Sequence, residues 1–262
     1  MKPNGLKNKT RENHKIDGLS PDANKLRGHS KIINVETLTK NIDLAWETTR
    51  TPAEFRSKLL VIFRTTLSEG SNFIQDRFLL NNDGAEAVLA QAYLMDSLIK
   101  AALETVDTKL YRAPNPTRGE QLCIIAVGGY GRGELAPFSD IDLLFLLPYK
   151  QTPRVEQVVE TILYLLWDMK LKVGHSTRSI DECMRQAKAD MTVRTAILES
   201  RYICGEISLM EQMIARFREE IIKGSALEFV EAKLKESDDR HRQLGDSRYV
   251  IEPNIKDGKG GL

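Results

Sequence analysis

Residues 122–147 read LCIIAVGGYGRGELAPFSDIDLLFLL, two apolar runs on either side of a glycine-rich turn. Each run predicts a strand, and the second one opens with Asp140 and Asp142. These two carboxylates fall on one face of the second strand, because side chains alternate between faces along a strand. Both faces become apolar after Asp142, which is typical of a central strand that is covered on both sides. The stretch therefore predicts a sheet with two acidic side chains at one end of a buried strand.

The two carboxylates would lie about 7 Å apart at the edge of the core, where like charges repel each other and resist desolvation. A divalent cation resolves that conflict, and oxygen ligands suit Mg²⁺ or Mn²⁺ and do not suit zinc. In the alternative interpretation, Asp140 is a turn residue at the start of the strand and Asp142 pairs with an arginine. The Asp-x-Asp pattern by itself leaves both interpretations open.

The glycine-rich turn adds a second indication. The first strand delivers Gly128 and Gly129 at its carboxyl end, where open α/β sheets bind ligands. Residues without side chains let backbone N–H groups approach a phosphate closely, and a helix that starts there adds its positive end. In one interpretation, the Arg132 guanidinium donates several N–H hydrogen bonds to the same phosphates. In the alternative interpretation, Arg132 forms a surface ion pair. The turn is not a P-loop, since it lacks the Lys-Ser/Thr pair, and it is not G-x-G-x-x-G, since position 134 is Glu.

A glycine pair after one strand and Asp-x-Asp on the next resemble the signature of the DNA polymerase β-like nucleotidyltransferase superfamily. Ten residues, 130–139, separate the second glycine from the first aspartate, a gap within the range of that superfamily. The sequence GGYGRGELAPFSDIDLLFL resembles one family within that superfamily, the bacterial PII uridylyltransferase/uridylyl-removing enzymes of nitrogen sensing. The similarity extends through GHSTRS, ADMTVRTAILESRYICG and the closing NIKDGKGGL, and it covers roughly residues 85–262.

This resemblance implies that the chain transfers UMP from UTP to a tyrosine hydroxyl of the trimeric PII signalling protein and releases pyrophosphate. It also implies that Asp140 and Asp142 are the catalytic carboxylates. They would hold two Mg²⁺ or Mn²⁺ ions, which clamp the attacking oxygen, the α-phosphate and the leaving group. The residues expected at the triphosphate are Gly128, Gly129, Arg132 and Ser139. No covalent enzyme intermediate is required.

One departure from the superfamily pattern concerns a third carboxylate, which many members place on a later strand as base for the attacking hydroxyl. The candidate strand here, LKVGHSTRS over residues 171–179, contains no acid. Asp181 and Glu182 follow at once, but the order Ser179-Ile-Asp-Glu182 is typical of a helix capping box. Asp190 is similarly typical of the N-cap of the next helix. The general base is therefore left unassigned.

The same strand, expected to be regular over 171–177, carries two further residues on opposite faces. We expect His175 to be a packed core histidine. Arg178 is a candidate to bind phosphate from the other face.

Periodicity and composition divide the chain into four segments. Residues 1–30 predict a disordered basic tail, 31–115 a helical lead-in, 116–182 the nucleotidyltransferase core, and 183–262 a helical region that ends in a glycine-rich loop. The expected fold is α/β (α+β), a polymerase β-like nucleotidyltransferase core with a small mixed sheet, preceded and followed by helices. Beyond the third strand we expect only helices, up to about residue 243. Because the sequence stops inside a glycine-rich loop, we expect a fragment of a longer protein.

The overall composition is ordinary for a globular protein, with 262 residues, 41% hydrophobic residues and 29% charged residues. A net charge of +1 gives no strong field toward nucleic acid or membrane surfaces, so we expect neither as a partner. No apolar run approaches the roughly 18 residues of a membrane span. The three cysteines have no metal-site spacing and predict reduced thiols in a cytoplasmic protein.

Several alternatives stay open. Glycines and carboxylates contact only the triphosphate and the metal, so sequence does not fix the nucleotide base. The alternative functions are a protein adenylyltransferase of the glutamine synthetase type, a CBS-linked nucleotidyltransferase, or a non-catalytic nucleotide-binding regulatory module.

The UMP-removing activity of the resembled family belongs to an HD-type hydrolase domain, which is followed by glutamine-sensing ACT domains. The 262 residues contain no His-Asp doublet, so we expect this chain to lack both parts.

Overall fold

The computed structural model describes residues 29–115 and 117–243. The predictions for the basic tail (1–28 of its 30 residues) and for the closing glycine-rich loop (from 244 onward) lie outside the described residues.

A helical segment precedes the sheet, as predicted. Its elements are α1 (His29–Ile32), α2 (Val35–Thr48), α3 (Pro52–Asn81), α4 (Gly84–Thr105) and a π-helical turn (Val106–Leu110). Helix α3 begins at Pro52 because proline suits the first helical turn and because the Thr51 side chain accepts a hydrogen bond from the Glu54 N–H at 3.2 Å. The four-residue spacing of Phe55, Leu59 and Phe63 predicts one apolar face, and all three side chains are buried.

The sheet and its helices follow. They are a 3₁₀ turn (Arg118–Glu120), β1 (Cys123–Ala126), α5 (Gly128–Gly131), β2 (Ile141–Leu147), α6 (Pro153–Asp168), β3 (Val173–Ser179), α7 (Ile180–Ala189), α8 (Met191–Leu198), β4 (Arg201–Gly205), α9 (Ile207–Phe217), a π-helical turn (Arg218–Ile222) and α10 (Ala226–Gln243). Among the helices of residues 29–115 and 117–243, none combines the length and the apolar character needed to cross a membrane.

The strands form one mixed sheet in the order β3-β2-β1-β4, where β1 is antiparallel to β2 and β4, and β2 is parallel to β3. The predicted small mixed sheet with flanking helices is thereby confirmed. The prediction of helices alone beyond the third strand was wrong, since β4 pairs along β1. Strand β4 begins with the charged Arg201, which is unusual for a buried strand. Arg201 is buried because it pairs with Asp96, which lies 105 residues away in sequence.

Both faces of β2 are covered, as predicted from its apolar run. Leu144 and Leu146 pack with residues of α7 and α9, whereas Phe145 and Leu147 pack with α3, α4 and α6. This alternation confirms that the face of Asp142 is the face of Leu144 and Leu146. Asp142 itself is half-buried at the end of the strand.

The three cysteines are free thiols, and two of them are fully buried. Burial raises the pKa of the Cys123 thiol to about 12 and that of the Cys183 thiol to about 11. Burial also raises the pKa of Cys204. Such thiols are poor nucleophiles at neutral pH, because the thiolate is the reactive form.

Alkaline pH should destabilise the fold through these thiols. The folded state keeps the Cys123 and Cys183 protons, which the unfolded state releases above the ordinary thiol pKa of 9.0. The free energy of unfolding should therefore fall as pH rises from 9.0 toward about 11. Each thiol should contribute a slope of about 1.4 kcal/mol per pH unit in that window, measured by urea unfolding at several pH values.

The variant Cys183→Ala removes one of the titrating thiols. Its stability should be lower at neutral pH because of the small cavity, but its alkaline slope should be shallower by the contribution of one thiol. Identical slopes in the variant and the wild type would contradict the thiol assignment.

Candidate active site

The glycine-rich turn and the acidic strand end meet at one edge of the sheet. Strand β1 runs toward this edge, and β2 and β3 both begin there, because β1 is antiparallel to β2 while β2 is parallel to β3. The N–H of Val127, directly after β1, donates to the carbonyl oxygen of Asp142 at 3.0 Å. The turn that starts at Gly128 therefore lies beside the first residues of β2.

Two glycines make room for the Asp142 carboxylate. Gly174 is the residue paired with Asp142 across the β2–β3 ladder, and a Cβ added to it would overlap with Asp142 Oδ1. A Cβ added to Gly128, whose φ is +59°, would lie 3.3 Å from Asp142 Oδ2. The carboxylate thus occupies space that side chains at either neighbour would take. Gly174 was not predicted as a site residue, although a glycine inside a strand is a known sign of close approach.

Asp140 and Ser139 lie just before β2, which begins one residue later than the sequence predicted. Both are exposed, and the Ser139 N–H donates to the carbonyl of Ala136 at 3.1 Å, which closes a turn. Asp140 and Asp142 flank Ile141, whose N–H bonds to the carbonyl of Lys172 at 2.9 Å. Asp142 is therefore half-buried and lines the cleft described below, whereas Asp140 is exposed and is not among the described residues that line it.

Where the sequence predicts a glycine-rich turn after β1, the structure has the single helical turn α5, which contains the glycine pair. Gly131 donates from its N–H to the Val127 carbonyl at 3.1 Å, and the earlier N–H groups of the turn have no partner inside so short a helix. Arg132 follows directly. Its Nη1 forms an ion pair with Glu199 Oε1 at 3.0 Å, while its Nη2 lies 3.6 Å from the position of a Cβ on Gly129. Arg132 therefore lies over the glycine pair while engaging a carboxylate.

Arg178 lies on the same face of β3 as Gly174, and both line a cleft of about 450 Å³ together with Asp142 and Gly128. The wall opposite the sheet comes from α8. The expectation for His175 was wrong: it is exposed and lines the cleft, with its ring centroid 5.7 Å from that of Trp167. Because β3 is an edge strand, its odd-numbered face is only partly covered by α6.

The candidates for a third carboxylate have other partners. Asp181 forms an ion pair with Arg216 at 2.5 Å, and Asp190 accepts the Thr192 N–H at 2.7 Å as the N-cap of α8. Glu182 closes the predicted capping box, in which the Ser179 N–H lowers the pKa of its carboxyl. Both caps are as predicted.

The donor set fits a hard divalent cation. Mg²⁺ is typically bound through one or two carboxylates plus substrate phosphates and water, which two carboxylates beside a phosphate-sized cleft allow. In the described part of the chain, no cluster of three or more His, Cys, Asp or Glu residues is placed to hold a metal ion.

A buried polar network fixes the glycine-rich turn from behind. The Tyr130 hydroxyl donates to Asp96 Oδ1 at 2.6 Å. The Arg201 guanidinium donates to both Asp96 oxygens, at 2.6 and 3.1 Å, and to the Tyr130 carbonyl at 3.2 Å. The exposed fractions are 0% for Asp96, 1% for Tyr130 and 5% for Arg201. None of the three was predicted from sequence, because each partner lies on a different element.

The network changes the acidity of its members. Burial, followed by the adjacent Asp96 carboxylate, raises the pKa of Tyr130 well above its ordinary value. Burial alone would lower the pKa of Arg201, but Asp96 raises it overall. The phenol and the guanidinium therefore keep their protons, and both act as donors to a buried carboxylate.

Comparisons with known proteins agree with this geometry. A family model described as a nucleotidyltransferase domain matches residues 117–203, and one described as GlnD PII-uridylyltransferase matches residues 228–262. The bifunctional uridylyltransferase/uridylyl-removing enzyme of Azospirillum brasilense is 55% identical over 209 residues, which are 80% of this chain and 22% of that enzyme. The enzymes of the same name from Rhodospirillum rubrum and Rhodopseudomonas palustris are 49% and 48% identical over 239 and 219 residues. Those matches cover 91% and 84% of this chain, and 26% and 24% of the two enzymes.

The sheet, the glycine-rich turn and these matches define a nucleotidyltransferase domain. More narrowly, the chain belongs to the family of bifunctional uridylyltransferase/uridylyl-removing enzymes. It spans about a quarter of the length of the curated relatives that it matches.

The buried ion pair should dominate stability near the turn. The variant Asp96→Asn leaves the Arg201 charge buried without its counter-ion, and it should lower the free energy of unfolding by about 3–5 kcal/mol. Urea unfolding at neutral pH measures this change. Tyr130→Phe, which removes only one hydrogen bond to the same carboxylate, should cost about 1–3 kcal/mol.

The Arg132–Glu199 pair offers a matched control, since it involves the same turn but is partly exposed. Glu199→Gln should cost less than about 1 kcal/mol. Equal losses for the buried and the exposed pair would contradict the importance given to the network.

Proposed function

We propose that this chain transfers UMP from UTP to a tyrosine hydroxyl of the PII nitrogen-regulatory protein, with release of pyrophosphate. The observation that carries the proposal is the Asp142 carboxylate held between Gly128 and Gly174, beside the turn that follows β1. Nucleotidyl transfer needs a carboxylate-bound metal next to a backbone that can approach phosphate. At this edge of the sheet, Asp140 and Asp142 would hold such a metal beside the glycine-rich turn. The relatives' names support the uridylyl group, and one family description supports PII.

Asp140 and Asp142 are the proposed metal ligands, for Mg²⁺ or Mn²⁺. A bound divalent metal would neutralise phosphate charge and polarise the phosphate oxygens. The half-buried position of Asp142 fixes its direction, whereas the exposed Asp140 is free to adjust as substrate arrives. The acceptor oxygen then displaces pyrophosphate directly at the α-phosphorus, without a covalent enzyme intermediate.

The remaining proposed roles concern the triphosphate. Backbone N–H groups at Gly128 and Gly129 would donate to its oxygens, since no side chain stands in the way. Arg132 would exchange Glu199 for phosphate, and Arg178 would neutralise charge from the β3 side of the cleft. Ser139 would add a hydroxyl donor at the mouth. We propose UMP transfer and not UMP removal for these residues, because the 262 residues contain no His-Asp doublet. We also propose that the reaction takes place in the cytoplasm.

Labelled nucleotides test the proposal directly. The protein incubated with Mg²⁺ and PII should transfer label from UTP, and removal of the metal with a chelator should stop the transfer. Label transfer from ATP and not from UTP would favour an adenylyltransferase instead. Transfer from neither nucleotide would favour the non-catalytic nucleotide-binding module.

The variant Asp142→Asn should abolish transfer while the fold is retained, because the amide is a poor ligand for a hard cation. Asp181→Asn is the matched control, since it removes a carboxylate that pairs with Arg216. A fully active Asp142→Asn variant would refute the metal-site argument.

The variant Gly174→Ala tests the space around the carboxylate. Its methyl group would overlap with Asp142 Oδ1 and push the carboxylate aside, so transfer should fall by about 100-fold, the typical effect of a displacement near 1 Å. Gly84→Ala is the control, since a Cβ there meets nothing within 4 Å. Steady-state kinetics and urea unfolding should show lost activity without a comparable loss of stability in Gly174→Ala. Wild-type kinetics of the Gly174→Ala variant would show that the space left for the Asp142 carboxylate does not matter for transfer.

A further inference from the structure

Phe138 combines two unfavourable features beside the candidate site. Its backbone has φ +67°, a left-handed conformation that is a genuine outlier for a bulky residue. Its side chain is 95% exposed, although a phenyl ring gains free energy by burial. Neither feature stabilises this fold, and strained residues of this kind cluster at functional sites.

The segment that carries Phe138 is anchored on both sides. The buried Leu135 donates from its N–H to the carbonyl of Val88 at 3.1 Å, and Ile141 donates to the carbonyl of Lys172 at 2.9 Å. Between these anchors, the hydrogen bond from Ser139 to Ala136 closes the turn. The ring is therefore held outward by an anchored turn, two residues before Asp140.

The position of the ring distinguishes between a nucleotide and a larger partner. Phe138 is not among the described residues that line the cleft around Asp142. The ring, like Ser139 and Asp140, therefore lies outside the lining that includes Gly128, Asp142 and Arg178. A protein that brings its hydroxyl to Asp140 would come close to the ring, because Phe138 is exposed two residues before that carboxylate. Exposed aromatic side chains are also the residues that protein interfaces favour as anchors.

We propose that Phe138 is a docking residue for the acceptor protein, which receives the ring in an apolar pocket beside its acceptor tyrosine. This inference rests on the proposed function and adds a residue that recognises the protein substrate and not the nucleotide. Binding of the partner covers the exposed ring, which offsets the cost of the left-handed backbone at this position.

The variant Phe138→Asn separates docking from stability, because asparagine tolerates the left-handed conformation and has no ring. The KM for PII should rise by about tenfold or more, while the KM for UTP stays within about twofold. The midpoint of thermal unfolding should be unchanged or raised, since a strained and exposed apolar residue is removed. Phe138→Tyr keeps the ring and should keep a KM for PII near that of the wild type.

Leu80→Asn is the matched control, because Leu80 is 87% exposed on α3. It should leave the KM for PII unchanged. A Phe138→Asn variant with raised KM for UTP would overturn the inference in favour of a contact with the nucleotide. Unchanged KM values with a lowered unfolding midpoint would overturn it in favour of packing against another part of the protein. A wild type that transfers no label would contradict the proposed function itself, whereas an active wild type with an equally active Phe138→Asn variant contradicts this inference alone.

Discussion

The buried carboxylate of Asp96 is the constraint on which the described structure depends. A charge with 0% exposure is tolerated only when it is fully paired, and here a guanidinium and a phenol supply the pairing. The partners lie 105 and 34 residues from Asp96 in sequence. Helix α4, the glycine-rich turn and β4 are therefore joined through one network, because the Asp96 carboxylate receives its hydrogen bonds from Tyr130 and Arg201. The helical segment before the sheet is for this reason part of the same cooperative unit.

The network also divides the glycine-rich turn into two sides. Tyr130 points into the core, and Gly131 lets the Glu199 carbonyl approach to a distance that a Cβ would forbid. Gly128 lines the cleft beside Asp142, and Gly129 lies next to the Arg132 guanidinium. The order Gly-Gly-Tyr-Gly thus separates two tasks within four residues. The first two leave the backbone of the turn free of side chains, and the last two attach the turn to the scaffold.

Local pattern was enough where the cause of a structure is local. The alternation along β2, the capping box at Ser179 and the apolar face of α3 could be predicted because each depends on neighbours within a few residues. Strand β4 and the burial of Arg201 could not, since the partner that makes them possible is remote in sequence. His175 was misplaced for a related reason, because nothing in its own segment shows that β3 lies at the sheet edge. The roles of the site residues stay predictions.

Two aromatic residues between β1 and β2 lie in opposite environments, one buried and one exposed. Tyr130 is 1% exposed and satisfies its hydroxyl inside the core, whereas Phe138 is 95% exposed at φ +67°. The first is explained by the fold alone, since burial and a short hydrogen bond favour it. For the second, no contact among residues 29–115 and 117–243 explains why the anchored loop holds the ring outward. Our proposal attributes the compensating gain to contact with another molecule. The place of Phe138 before Asp140 assigns that gain, on our proposal, to the protein that must approach the carboxylates.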